Sequence, residues 1–400
     1  MTTDQGKTGT SVMKVLITGG RAPSALELVR LLAAAGCEVH VAESAKQHLC
    51  LKSKAVTRNH SVPSPTYNTA GFLTALEQII QQEEIDLLVP TCEEIFYVSS
   101  GLERLRRLCR VYCAPIEQLR RLHSKWAFIQ RAEQLGFLVP MTKLIQSSNE
   151  LTQQTNGFRT GFVLKPEFSR FAAKVRIIEA NECIDALEGN SYPWVAQQRI
   201  QGRSICTYSI VHEGKVVAHA DYSSDYSLDG GASVYFEPLF HRKSQEWVAR
   251  FVQEEHFTGQ IGFDFIETNE GELYPLECNP RTTSGLHLLA SQVEIAQAFI
   301  QPERLGNKRL EPAMKSRGML ALPMLIYGFM KLKERTNWTE LWIWCRKLLT
   351  TRDVCFRLKD TKPYIQQAVV LMDLRKHAQN QQQSIIEAST ADIEWNGGPI

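Results

Sequence analysis

Two carboxylates and one amide are spaced so that a single β-hairpin would bring them together. Asp264 lies in the apolar stretch IGFDFIE, and Glu277 and Asn279 lie two residues apart in YPLECNPR. Because side chains alternate along a strand, Glu277 and Asn279 share a face, and a turn at residues 269–271 folds Asp264 back beside them. Three oxygen donors on one face are typical of a magnesium site on nucleotide phosphates. The alternative is three exposed polar positions of a half-buried hairpin.

Cationic side chains elsewhere in the sequence suit phosphate oxygens. Arg281 follows Pro280, and its permanently charged guanidinium suits a phosphoryl or acyl-phosphate oxygen. Lys165 ends the strand-like FVLKP and Lys125 begins a helix-like segment, so either can pair with phosphate as a point charge. For either lysine taken alone, the alternative is a solvated surface position. A weaker signal of the same kind follows in Ser169, Arg170 and Lys174.

Other catalytic patterns are absent from the sequence. Gly19 and Gly20 follow the first apolar strand, but Arg21, Ala22 and Pro23 stand where the dinucleotide fingerprint G-x-G-x-x-G has its later glycines. No H-E-x-x-H pair and no G-x-S-x-G is present. The sequence therefore gives no support to dinucleotide binding or to zinc or serine hydrolase chemistry.

Alternating strand and helix patterns precede these residues. KVLIT, a glycine turn, a helix at 25–35 and CEVHVAE form a βαβ unit, and a helix at 71–84 leads to the strand IDLLVPTC. This order predicts a parallel, doubly wound, Rossmann-like sheet that closes with VYCAP. Helices over 116–140 and later strands with hairpin turns at 212–214 and 269–271 indicate antiparallel sheets. The predicted fold class is α/β followed by α+β.

These patterns predict four parts of the chain. They are a polar tail (residues 1–12), a Rossmann-like domain (residues 13–115), an antiparallel domain with flanking helices (residues 116–300) and a C-terminal extension (residues 301–400). The extension contains tryptophans at helical spacing from Trp338 and ends in the acidic, aromatic segment DIEWNG. We expect the whole extension, residues 301–400, to cover the substrate side of the site, and for the tryptophans simple core packing is the alternative.

Composition restricts the class of protein. The 400 residues are 44% hydrophobic and 22% charged, which suits a protein with a large core. The net charge of +2 gives no basic field, so no nucleic-acid partner is expected. The longest weakly charged apolar stretch, residues 318–330, contains a proline and is shorter than the roughly 20 residues of a membrane span. Ten cysteines without any Cys-x-x-Cys pair favour a reducing cytoplasm.

The assembled order of motifs resembles the ATP-grasp superfamily over residues 13–300. The resemblance rests on the βαβ domain, then SKWAFIQRAEQLGFLVP, VLKP, QQRIQG and finally the pair GFDFIE and LECNPR. Within the superfamily, KWAFIQRAEQLG, TGQIGFDFIE, ECNPRTTSG and DIEWNG are most similar to the branch of the cyanobacterial glycine/4-deoxygadusol (mycosporine-glycine) ligases. The resemblance implies an ATP-grasp architecture with a preceding Rossmann-like domain.

The resemblance also implies roles for single residues. Magnesium, two ions with Mn²⁺ able to substitute, would be held by Asp264, Glu277 and Asn279, with catalytic roles for Arg281 and Lys165. Family members usually carry glutamates at the positions of Gln198 and near Ser204, and this sequence departs from them there. ATP would be bound by the strand at 196–200 and by neighbouring side chains, a set comprising Lys125, Lys165, Lys174, Gln197, Gln198 and Ile200.

Three functions follow from this resemblance. The first is an ATP-dependent carboxylate–amine ligase that phosphorylates a small carboxylic or enolic acid and joins it to an amine. The second is phosphorylation of bicarbonate, as in carbamoyl-phosphate synthesis, and the third is a non-catalytic ATP sensor or scaffold. The expected partners are small-molecule acid and amine substrates and, as an assembly, a homodimer.

Overall fold

The computed structural model describes residues 12–155, 157–158, 161–169, 175–179, 193–223, 226, 233–333 and 337–400. Arg170 and Lys174 lie outside these ranges. Within them, every helix is too short or too polar to span a bilayer. The secondary structure forms three sheets with helices packed on them.

The N-terminal sheet is parallel and has the strand order β3-β2-β1-β4-β5. Its central strands are short and almost wholly apolar, as expected for strands that are covered on both faces. Pro23 opens the first helix because a proline at this position needs no amide partner. The strands are β1 (Lys14–Thr18), β2 (Glu38–Glu43), β3 (Arg58–Ser61), β4 (Leu87–Val89) and β5 (Arg110–Val111), and the helices are α1 (Pro23–Ala34), α2 (Thr69–Glu83), α3 (Ile95–Ser100) and α4 (Leu102–Arg106).

A four-stranded antiparallel sheet follows, in the order β6-β9-β7-β8. Helix α6 begins at Lys125 because the Ser124 hydroxyl accepts a hydrogen bond from the Ala127 amide, which caps the helix. The elements of this part are α5 (Ile116–His123), α6 (Lys125–Gln134), β6 (Thr142–Ile145), α7 (Ser148–Thr155), β7 (Phe162–Pro166), β8 (Arg176–Ile178) and β9 (Trp194–Gln198).

A six-stranded antiparallel sheet has the order β14-β13-β10-β11-β12-β15. Glu213 and Gly214 both have positive φ and form the tight turn between its two long strands. Trp247 and Phe251 on its helix pack against Phe263, which joins this sheet to the main core. The elements are β10 (Arg203–His212), β11 (Lys215–Ser223), β12 (Tyr235–Leu239), α8 (Arg242–Glu254), β13 (Gly259–Glu267), β14 (Leu273–Asn279) and β15 (Gly318–Met319).

Helices dominate the C-terminal part of the chain. The tryptophan-rich stretch is helical, as predicted, and Trp338 and Trp342 on it are exposed. The last residues return to the N-terminal sheet instead of extending from the helices. The helices are α9 (Leu286–Leu289), α10 (Gln297–Ile300), α11 (Ala321–Lys333), α12 (Trp338–Thr350), α13 (Lys362–Gln381) and α14 (Ile385–Ala388), with short 3-10 helices at Leu49–Lys52, Val293–Ala296 and Pro302–Leu305.

The predicted α/β plus α+β class is confirmed, with corrections at strand ends. The predicted strand at 196–200 ends at Gln198, because its partners end there: Gln198 faces Phe162, the first residue of β7. Ile200 therefore lies beyond the strand. Of the predicted strand VYCAP (residues 111–115), only Val111 lies in a strand, the two-residue β5, because β4, its neighbour, is itself only three residues long.

Candidate active site

The β13–β14 hairpin brings the two predicted carboxylates face to face. Asp264 pairs with Glu277 across the hairpin, and Gly262 pairs with Asn279. The Asn279 side-chain amide donates to Oδ2 of Asp264 at 3.2 Å and to Oε1 of Glu277 at 3.4 Å. The three side chains therefore converge as the spacing predicted, and all three are partly buried.

The two carboxylates of this pair have pKa values that are shifted in opposite directions. Burial raises the pKa of Asp264 to about 7, and the neighbouring charge of Glu277 adds to this effect. Burial also acts to raise the pKa of Glu277, but the charges of Lys125 and Lys165 outweigh it and lower that pKa to about 2. Two adjacent carboxylates thus resist being ionised together, which a cation between them would relieve.

The donor set fits magnesium on chemical grounds. Asp264 and Glu277 supply hard, anionic oxygens, which is the ligand type that this ion prefers. The amide oxygen of Asn279 accepts a hydrogen bond from Nη2 of Arg281 at 3.0 Å, so its NH₂ group faces the carboxylates. Rotation of the amide by half a turn would present the oxygen to a metal ion, and the bond from Arg281 to Asn279 would then be given up.

Lys165 is buried beside this hairpin. Its ammonium donates to Oε1 of Gln197 at 2.9 Å and to the carbonyl oxygen of Leu276 at 3.4 Å. Burial lowers its pKa to about 8, while the charge of Glu277 acts in the opposite direction. Because the side chain is only slightly exposed, the alternative of a solvated surface lysine is wrong.

Lys125 approaches the same carboxylate from the start of α6. Its Nζ lies 3.8 Å from Oε2 of Glu277 and donates to the carbonyl oxygen of Ser169 at 3.0 Å. Like Lys165, it is buried instead of lying on the surface. Two lysines from different elements thus face one carboxylate. Two positive charges this close together suit the binding of phosphate oxygens.

Arg281 connects the hairpin to the N-terminal sheet. Its Nε lies 3.4 Å from Oε1 of Glu93, a fully buried carboxylate in the loop after β4. Glu93 was not among the predicted site residues, although two consecutive glutamates, Glu93 and Glu94, follow that strand. Their position at the carboxyl edge of a parallel sheet, where ligands bind in such folds, was the available signal.

His123 is a second residue that sequence reasoning missed. Its ring packs against Phe96 and Phe168, with centroid distances of 4.8 and 5.9 Å. Burial lowers its pKa to about 4, which leaves the imidazole neutral at neutral pH. In the described part of the chain, its buried Nε2 has no hydrogen-bond partner. The only local signal was its place two residues before Lys125.

The other residues that were predicted to bind the nucleotide differ in their burial and in their position relative to β9. Gln197 is buried and holds Lys165, and its amide donates to Thr142 at 3.3 Å. The Gln198 side chain accepts from the Met141 amide at 3.2 Å, at the end of β9. Ile200 lies past the strand, and Lys174 lies outside the described residues.

A C-terminal strap, residues 392–398, packs against the N-terminal side of this site. Trp395 is buried against Phe96 and Phe168, with ring centroids 4.8 and 5.5 Å away. Asp392 forms an ion pair with Arg21, the residue after the glycine turn of β1. The strap thus contacts the same two aromatic rings that surround His123.

Comparison with known proteins agrees with this architecture. The ATP-grasp domain family model matches residues 122–285. No curated protein sequence matches the chain. An N5-carboxyaminoimidazole synthetase from Staphylococcus aureus has a similar structure, with a TM-score of 0.60, 14% identity and coverage of 82% of this chain and 87% of that chain.

Two other solved structures are similar over much of their length. An L-amino acid ligase from Bacillus licheniformis gives a TM-score of 0.57 at 12% identity, covering 72% of this chain and 74% of that chain. A phosphoribosylamine–glycine ligase from Thermotoga maritima gives 0.56 at 18% identity, covering 75% and 78%. The chain therefore has the ATP-grasp fold, as the sequence predicted.

Proposed function

We propose that this ATP-grasp chain is an ATP-dependent carboxylate–amine ligase that releases ADP and phosphate. The observation that carries the proposal is the convergence of Lys125 and Lys165 on Glu277, with Asp264 beside it and Arg281 two residues beyond the end of β14. This inventory is rich in phosphate-binding cations and metal-binding oxygens. It fits phosphoryl transfer, which depends on positioning and charge neutralisation.

Different residues bind the phosphates and the metal ions. Lys125 and Lys165 pair with the phosphate oxygens of ATP, while Gln197 keeps the Lys165 ammonium in place. Asp264, Glu277 and Asn279 hold the metal, with two Mg²⁺ ions as the proposed complement. When bound, magnesium supplies positive charge that offsets the charge on the phosphates.

The proposed reaction has two steps. In the first, an acid oxygen forms a bond to the terminal phosphorus as the bond to ADP breaks, and Arg281 stabilises the negative oxygens. In the second, the amine nitrogen bonds to the activated carbon, phosphate leaves and the nitrogen loses a proton to solvent. Glu93 orients Arg281 through their ion pair.

The acceptor side is formed by aromatic rings and His123. The neutral imidazole offers a hydrogen bond to the incoming substrate, because its buried Nε2 lacks a partner in the described ranges. The strap excludes water from the activated acid, since Trp395 packs on the ring of Phe168 two residues beyond Pro166, where β7 ends. We also propose a cytoplasmic location, because none of the nine cysteines in the described ranges forms a disulfide.

The substrate class within this proposal is a small acid and an amine, with the glycine/4-deoxygadusol branch as one candidate. The experiment is phosphate release measured over a matrix of acids and amines, with mass detection of the adduct. With a productive pair carrying oxygen-18 in the acid, one labelled oxygen should appear in the released phosphate. Label retained entirely in the adduct would contradict activation by phosphorylation.

Phosphorylation of bicarbonate is the second candidate. A similar structure, the biotin carboxylase domain of a 2-oxoglutarate carboxylase from Hydrogenobacter thermophilus, is described in complex with MgADP and bicarbonate. Bicarbonate-stimulated ATP hydrolysis without need for another acid would favour it. ATP binding without turnover across the whole matrix would instead favour a sensor.

A further inference from the structure

A second polar cluster lies on the N-terminal sheet and shares no residue with the site above. His40 on β2 and His60 on β3 face each other, with 3.1 Å between Nδ1 of His40 and Nε2 of His60. Oε2 of Glu83, the last residue of α2, lies 4.0 Å from the same Nδ1. The three potential ligand atoms all lie within 4.8 Å of one another.

Glu38, the fourth member of the cluster, determines which nitrogen of His40 is available to a metal ion. Oε1 of Glu38 lies 3.0 Å from Nε2 of His40, and a carboxylate only accepts hydrogen bonds. The proton of neutral His40 therefore sits on Nε2, and Nδ1 presents a lone pair toward His60. A carboxylate that fixes a histidine tautomer in this way is the usual support of a metal-binding imidazole.

The geometry of the two histidines is close to that of a metal-ligand set. The ring planes differ by 11° and the ring centroids lie 5.4 Å apart, so the two nitrogens face each other across an N–H···N hydrogen bond. Two ligands on a tetrahedral zinc ion lie about 3.3 Å apart, given bonds of about 2.0–2.1 Å. His60 is half-buried, so a small rotation of its ring would turn both lone pairs toward one ion.

Glu83 has one oxygen left for such an ion. Arg58 donates to its Oε1, which holds the carboxylate while Oε2 faces His40. Two imidazole nitrogens and one carboxylate oxygen suit a borderline divalent ion such as zinc better than magnesium.

We propose that His40, His60 and Glu83 bind one divalent transition-metal ion, with zinc as the best fit, and that Glu38 is the positioning residue. The ion would replace the hydrogen bond between the two imidazoles and would fasten β3, the edge strand of the parallel sheet, to β2 and to the end of α2. The site is independent of the proposed ligase activity, since none of its residues contributes to phosphate binding.

The test uses the full chain with excess Mg²⁺, so that the Asp264 and Glu277 pair does not compete for zinc. Zinc affinity is measured by calorimetry for wild type, His60→Ala and Glu83→Gln, with His377→Ala, an exposed histidine, as the control. We expect a 1:1 high-affinity event in wild type and control, weakened by about tenfold or more in the two ligand variants. Equal zinc affinity in all four proteins would overturn the proposal.

Cobalt provides a second readout, because the chain contains ten cysteines that could bind zinc on their own. Co²⁺ bound by nitrogen and oxygen ligands gives visible d–d bands without thiolate charge transfer. We expect such bands in wild type and their loss in His60→Ala. A thiolate band in the wild-type spectrum would assign the metal to cysteine and would contradict the proposed site. Glu38→Gln keeps all three ligands, so it should weaken zinc binding less than His60→Ala does.

Discussion

Nε of Arg281 lies 3.4 Å from Oε1 of Glu93, although Glu93 follows β4 of the parallel sheet and Arg281 follows β14 of the six-stranded sheet. Glu93 is fully buried, and Arg281 also bonds the amide oxygen of Asn279 at 3.0 Å. One guanidinium therefore connects the loop after β4 to the hairpin that carries Asp264 and Glu277. An arginine held by the buried Glu93 in this way is pre-oriented for a transient partner, which we propose to be the transferring phosphoryl group.

Arg281→Lys should lower kcat by about a hundredfold, because a lysine keeps the charge but loses the planar fork. Glu93→Gln should have a smaller effect of the same kind, since Arg281 remains but is less firmly oriented. Arg309→Lys, on an exposed arginine paired with Glu311, is the matched control. Steady-state kinetics with a productive acid and amine would measure this, and wild-type kcat in Arg281→Lys would remove the arginine from the mechanism.

Glu277→Gln should reduce turnover by at least tenfold, about 1.4 kcal/mol in barrier, because an anionic metal ligand is lost. The fold should persist, since the amide is similar in size. Glu272→Gln, an exposed position on the same hairpin, is the control. The comparison is kcat at limiting magnesium, and normal activity of Glu277→Gln there would show that the proposed metal site is wrong.

Lys165 gives the expected pH dependence. Its pKa is lowered to about 8 by burial, so the ammonium that we propose binds phosphate is present below this pH and is lost above it. The kcat/KM for ATP should therefore fall above pH 8 in wild type but not in Lys165→Arg, whose charge persists. A pH profile of Lys165→Arg that coincides with wild type would assign the decline to another group.

The β13–β14 hairpin could be predicted from the sequence because residues close together in the chain determine it. The turn at 269–271 fixes the register, with Gly271 at a φ of +78°, and the register places Asp264 opposite Glu277. The strand length of β9 was overestimated because it depends on partners far away in sequence. Glu93 and Arg281 are nearly two hundred residues apart, and no periodicity encodes such a pair. The burial of Lys125 and Lys165 likewise arises only when separate sheets come together.

The strap gives a prediction about water exclusion. Gly397 has a φ of +85°, and an added Cβ would lie 2.4 Å from the Phe168 ring, so Gly397→Ala should displace the strap from this ring. MgATP affinity should stay nearly unchanged, while phosphate released per ligated product rises severalfold.

The neighbouring Gly398→Ala is the matched control, because Gly398 lacks a positive φ and its nearest contact is the side chain of Asn396. Truncation after residue 385 should produce the same uncoupling more strongly, at some loss of stability because Trp395 is buried. Tightly coupled turnover in Gly397→Ala, or a truncated chain that ligates normally, would leave the strap with a packing role only.

The central claim is that the lysine and carboxylate cluster is an ATP site, and calorimetric titration of the purified chain with ATP tests it most directly. We expect saturable binding in the presence of Mg²⁺ and much weaker binding without it. Lys165→Met should bind MgATP far more weakly, whereas Lys143→Met, an exposed lysine of the same sheet, should match wild type within about 0.5 kcal/mol. Absence of MgATP binding to the wild-type chain, or equal affinity in both lysine variants, would contradict the account.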